Sequence, residues 1–77
     1  MKLGKYRHYK GNFYYVLGVV LQTETREKLV LYRALYPCSE LWEEYGEDPL
    51  FVRPFEMFYE RVMVDGVVVP RFEWVGE

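Results

Sequence analysis

The chain has 77 residues, enough for a single domain, spanning 1–77, with a small core. Its 8 Tyr, 5 Phe and 2 Trp exclude a disordered chain, and its formal net charge of −2 argues against nucleic-acid binding by bulk charge. One cysteine, Cys38, excludes an internal disulfide, and together with one histidine it cannot build a metal cluster.

The elements follow in chain order. Tyr6 to Tyr9 is a short extended run, and Gly11-Asn12 supplies the turn after it. Phe13 to Leu21 is the longest strand candidate, rich in Tyr, Val and Leu. Both of its faces are apolar and Gly18 interrupts it, a pattern that suits a bent strand contributing to two sheets, as at a barrel corner. Gln22 to Lys28 is polar and carries the next turn, with the Thr25 hydroxyl placed to bond the backbone. Leu29 to Tyr36 is a strand that Pro37 stops. Ser39 to Tyr45 is a short helical candidate, with Ser39 as cap and Gly46 as terminator. Leu50 to Arg53 is a strand, and Pro54 favours one helical turn through Phe58. Glu60 to Val64 and Val67 to Phe72 flank Asp65-Gly66, a type I′ hairpin signal.

An all-β domain is expected: a small Src-homology-3-like barrel, closed or partly open, of roughly five or six strands with one or two short helical turns. No apolar run approaches the ~20 residues that span a bilayer, and none follows the basic start as a secretory leader would. The expected setting is therefore the reducing cytoplasm, with no membrane partner. No phosphate-cradling glycine loop and no nucleophile–histidine spacing occurs, so neither a catalytic residue nor a cofactor is expected.

Ordered blocks along the chain carry a resemblance. They are Gly4-Lys5-Tyr6-Arg7-His8-Tyr9-Lys10-Gly11, Tyr14-Tyr15-Val16-Leu17-Gly18, Glu24-Thr25 with Glu27, Leu31-Tyr32-Arg33-Ala34-Leu35-Tyr36, Val52-Arg53-Pro54 with Met57-Phe58, and Val64-Asp65-Gly66 with Pro70-Arg71-Phe72. In these blocks the chain resembles the small bacterial domain-of-unknown-function family 1653. The resemblance implies a Src-homology-3-like barrel and no established activity. The chain departs from the family pattern at Gln22-Thr23, where a histidine and a serine are usual, and in the acidic, insert-like stretch Cys38 to Pro49.

Arg53 is the residue hardest to dismiss as structural filler. It lies within Phe51-Val52-Arg53-Pro54, cannot shed its charge, and needs a carboxylate, a carbonyl or a bound anion if buried. Glu24 and Glu56 are the expected carboxylate partners. His8 and Lys10 should share one side of the first strand with Tyr9 on the other, a pairing suited to an anion. Tyr6, Tyr9, Tyr14, Tyr32 and Tyr36 are candidates to line an aromatic groove for a peptide.

The candidate ligand-binding residues are thus His8, Tyr9, Lys10, Glu24, Tyr32 and Arg53. The expected function is a binding module for a protein or peptide partner or a small anionic ligand. The alternative is single-stranded nucleic acid held by Lys2, Lys5, Arg7 and Lys10, with Tyr6 and Tyr9 stacking on bases. A small enzyme acting through His8, Glu24, Tyr32 and Arg53, and a self-associating structural protein, stand behind these. The acids Glu40, Glu43, Glu44, Glu47 and Asp48 oppose the basic N-terminus and can orient a partner. Cys38, in an exposed loop among acids, is not a nucleophile. Oligomeric state is left open.

Overall fold

Runs of β-branched and aromatic residues dominate the chain, and the computed structural model, which describes residues Met1–Glu77, is built mainly of strands. Seven strands form: β1 (Gly4–His8), β2 (Phe13–Leu21), β3 (Lys28–Ala34), β4 (Leu50–Pro54), β5 (Arg61–Val64), β6 (Val67–Pro70) and β7 (Phe72–Gly76). A 3₁₀ turn (Ser39–Leu41) runs into α1 (Trp42–Tyr45), and α2 (Phe55–Phe58) follows β4 directly.

Five strands make one antiparallel sheet in the order β4-β3-β2-β1-β7, while β5 and β6 form a separate two-stranded ribbon. The edge strands β4 and β7 do not pair with each other, so the sheet does not close. The chain between those two edges is spent on α2 and the ribbon, and Phe58 from α2 fills the hollow of the sheet. The expectation of five or six strands is also corrected. The run Val67 to Phe72 is broken at Arg71, whose amide makes a last in-register hairpin bond to the Glu60 carbonyl at 2.9 Å. The chain then restarts as β7, beside β1 rather than β5.

The bend foreseen in β2 is a bulge, but β2 lies within one sheet and does not contribute to two. Val16 pairs with Tyr32 and Gly18 with Leu31, which leaves Leu17 without a partner. A Cβ on Gly18 would meet nothing within 4 Å, so the extra residue makes the bend, not a close approach at the glycine. Gly4 is different. It has φ +115°, and a Cβ there would stand 2.5 Å from the Gly76 carbonyl oxygen, so only glycine lets β1 start beside β7. The Asp65-Gly66 turn forms as expected, with φ of 49° and 80°, the two positive values of a type I′ hairpin.

Period-two alternation turns Tyr6, Val16, Val30, Tyr32 and Phe72 to the same side, where they and Phe58 are the buried core. Phe58 and Phe72 stack with ring centroids 4.1 Å apart, and Tyr6 meets Phe58 edge-on at 5.2 Å. Burying each such ring stabilises the fold by roughly 1.5–3 kcal/mol. Tyr6 keeps its hydroxyl satisfied by donating to the Lys2 carbonyl at 2.6 Å, and burial pushes its pKa up to about 12.

The segment from Cys38 to Pro49 differs from its expected form. Its two ends, Cys38 and Pro49, are buried, so Cys38 is no loop thiol on the surface. Cys38 occupies the cap position of the 3₁₀ turn, and no side chain caps it; Ser39 is already inside the turn. Gly46 does end α1, with φ 83° and its amide donating to the Trp42 carbonyl at 2.9 Å. No helix is long and apolar enough to cross a membrane.

Candidate cationic site at the mouth of the sheet

His8 is the last residue of β1, and register sets it opposite Phe72 of β7. Tyr14 lies opposite Tyr6 on β2, Tyr32 opposite Val16 on β3, and Arg53 opposite Val30 on β4. Cross-strand partners share a face, so these four side chains stand on the core side although they come from distant parts of the chain. Their contacts bear this out. His8 meets Phe72 at 4.9 Å and Tyr14 at 6.2 Å, both edge-on. Tyr14 meets Tyr32 at 5.6 Å and Phe72 at 5.6 Å. The Arg53 guanidinium sits 5.6 Å from the Phe72 centroid, and its Nε donates to the Tyr32 hydroxyl over a long 3.4 Å.

The charge balance of this cluster is one-sided. Arg53 is half-buried, yet no carboxylate lies within 4.0 Å of it. Glu56 does not pair with it. Glu24 stays in the exposed β2–β3 turn, where its carboxylate accepts from the Thr23 hydroxyl at 2.9 Å and its amide donates to the Gln22 side chain. The predicted Arg53 pair with either acid is therefore overturned. The turn holds Glu24 beyond the strand ends in solvent, bonded to its own neighbours Gln22 and Thr23. In the same turn, the expected Thr25 contact is present, accepting from the Glu27 amide at 3.2 Å.

His8 feels the same imbalance. Burial first, then the positive charges of Arg53, Arg71 and Lys10, hold its pKa below the ordinary 6.5. Arg71 donates to Glu60 at 2.8 Å, while its buried Nε has no hydrogen-bond partner. Tyr14 and Tyr36 share a hydroxyl–hydroxyl hydrogen bond of 2.8 Å, and burial, with that bond, raises the Tyr14 pKa.

Tyr9 and Lys10 do not follow the alternation expected of them. β1 ends at His8, and the chain turns, so the Tyr9 ring lies against His8 at 4.5 Å and the Lys10 ammonium stands 5.8 Å from the Tyr9 ring. The Lys10 amide donates to His8 Nδ1 at 3.2 Å, which leaves Nε2 as the free ring nitrogen. Of the tyrosines expected to line a groove, Tyr6 and Tyr32 are core residues, Tyr9 and Tyr14 are half-buried, and only Tyr36 is exposed.

The structure thus brings His8, Tyr32 and Arg53 together, keeps Tyr9 and Lys10 beside them, and removes Glu24. Arg71 and Phe72 were missed as site residues. The signal for Phe72 was period-two register through β1 and β7, which no local pattern reveals. The clefts in the surface are lined by other residues, and none includes His8, Tyr32 or Arg53. The cluster therefore offers charged contact rather than enclosure, and suits an anion that keeps part of its hydration. No group of three or more His, Cys, Asp or Glu side chains is placed to hold a metal ion.

Residues 4–74 match the family described as a protein of unknown function, DUF1653. The crystal structure of a protein of that family from Bordetella bronchiseptica is similar to this chain, with 36% sequence identity and a TM-score of 0.84. The match covers 99% of this chain and 88% of that one. No curated protein matches the chain. The chain belongs to the DUF1653 family, and the expected resemblance is borne out.

Proposed function

We propose that this protein is a non-catalytic binding module whose ligand is a small anion held at Arg53, with His8 and Tyr32 as flanking donors. The observation that carries the reading is Arg53 itself: half-buried on the core side of the sheet, with no carboxylate in reach and one long hydrogen bond to a hydroxyl. A guanidinium so placed has unused donors in a fixed fork, the geometry that recognises carboxylates and phosphates. The Src-homology-3-like architecture belongs to the same proposal. A linear sheet bent at a β2 bulge, with a helical turn inside the hollow, supports a partly open version of it. A free, buried Cys38 fits a reducing cytoplasm.

The nucleic-acid alternative needs Tyr6 as a stacking ring, and Tyr6 is buried. The enzyme alternative needs Glu24 near His8, and Glu24 is in the opposite turn. Titration of labelled protein with inorganic phosphate, citrate and acetate, followed on the Arg53 Nε and His8 ring resonances, tests the proposal. A saturable shift at both residues, lost in a folded Arg53→Met variant, is the expected result. Shifts that ignore Arg53, or none in the millimolar range, would overturn it.

A further inference from the structure

A second feature lies outside the Arg53 cluster. β4 is an edge strand, paired with β3 on one side only. None of the backbone hydrogen bonds made outside helices and strands involves residues 50–54, so the outer row of β4 amides and carbonyls has no backbone partner. Free edges of this kind are templates for another strand, and proteins usually cover or charge them. Here the edge adjoins an apolar cleft of about 340 Å³, lined by Leu41, Tyr45, Pro49, Leu50, Phe51 and Val52. Three of those side chains are widely exposed: Leu50 at 58%, Val52 at 55% and Tyr45 at 60%.

The segment that walls the cleft is acidic. Glu40, Glu43 and Glu44 interleave with Leu41 and Tyr45, and Glu47 and Asp48 precede Pro49. Asp48 alone among these acids has a basic partner, Arg33 at 4.0 Å. Glu47 and Asp48 line a neighbouring cleft with Arg33, whereas Glu40, Glu43 and Glu44 have no basic partner and stand in the same short helical segment as the lining residues Leu41 and Tyr45. That combination selects an occupant. A second copy docking β4 against β4 would bring two such acidic segments together, which repels. An extended chain with cations at its ends meets no such penalty.

We propose that the free β4 edge accepts an extended segment of a partner protein by strand addition, apolar at alternate positions and basic at both ends. Main-chain hydrogen bonds to β4 supply attachment, alternate apolar side chains enter the cleft beside Tyr45 and Leu50, and the acidic segment reads the flanking Lys or Arg. The surface is distinct from the Arg53 mouth, because Leu50 and Val52 point away from the face that carries Phe51 and Arg53.

The probe is the acetylated and amidated peptide Lys-Lys-Val-Thr-Val-Thr-Val-Lys-Lys, whose apolar centre matches the length of β4. Titration into labelled protein should perturb the Leu50, Phe51, Val52 and Arg53 amides and slow their hydrogen exchange, at up to about 1 mM peptide. Replacing the four lysines by glutamates should weaken binding roughly tenfold, since several exposed charge pairs are lost. The Glu43→Lys and Glu44→Lys double variant should reverse that preference. A Tyr45→Ser and Leu50→Ser double variant, altered only at exposed positions, should stay folded and lose binding. The proposal is overturned by unperturbed β4 amides at that concentration, by equal binding of both peptides, or by concentration-dependent self-association through β4 in sedimentation, which would make a second copy the occupant.

Discussion

Two sets of side chains share the core face, come from the same strands and behave oppositely. Tyr6, Val16, Val30 and Phe58 are sealed from water, and Phe58 stacks on Phe72 at 4.1 Å. Their cross-strand partners Tyr14 and Arg53, together with His8, crowd the same Phe72 and Tyr32 rings with positive charge and no acid to balance it. Tyr6 and His8 are two residues apart on β1, as are Phe51 and Arg53 on β4. The difference shows how little chain separates a sealed core from a charged mouth. To the sealed set α2 adds Phe58, its one buried residue.

The largest effect that sharpens this contrast is in the sealed set. Phe58→Ala should cost roughly 3–5 kcal/mol in denaturant unfolding, because it leaves a cavity among rings that cannot collapse into it. Arg53→Met in the charged set should stay within about 1 kcal/mol, since it breaks no ion pair. If Arg53→Met proves as damaging as Phe58→Ala, the two sets are one structural unit and the contrast fails.

A smaller effect lies on the boundary. Tyr14→Phe removes the hydrogen bond to Tyr36 and should cost about 0.5–1 kcal/mol in the same measurement, the tyrosines being partly solvated. No change at all would show that water replaces the bond and that the mouth is wetter than the register implies.

The smallest effect is on pH. Folding lowers the His8 pKa beneath its ordinary 6.5, so below that value the unfolded chain binds more protons than the folded one. Stability should be flat above pH 6.5 and decline as pH falls through the interval down to the folded pKa, and His8→Gln should flatten that slope. Arg53→Met should also shrink it, because Arg53 is among the charges that oppose protonation. A bound anion should act in the opposite sense, raising the His8 pKa, so anion affinity should increase toward acid pH. An anion titration with no pH dependence in that interval would separate His8 from the site.

Much of the fold was legible in order along the chain. The aromatic and β-branched runs located β2, β3 and β4; Asp65-Gly66 located the ribbon; Pro54 located α2. Local chemistry decides these features, through pleat packing, positive φ and a fixed proline φ. Boundaries were less legible. The Asp65-Gly66 turn sets Arg71 opposite Glu60, but nothing in Val67-Val68-Val69-Pro70-Arg71-Phe72 announces that Phe72 leaves the ribbon and begins a strand beside β1. The candidate site divides the same way: Arg53 was conspicuous as a cation in an apolar run, and Glu24 was assigned to it only because an acid was required.

The sequence by itself therefore determined that the chain is strand-rich, that its stability rests on aromatic burial, and that Arg53 and His8 stand out against their surroundings. Tertiary structure alone decided which strands meet, that the sheet stays open, and which charges share a face. Residue type and spacing act over a few residues, through backbone sterics and alternation, and so can be read locally. Counting which charges meet requires the register of β1 with β7 and of β3 with β4, and that register is chosen by how Phe58 and Phe72 pack in the hollow between them.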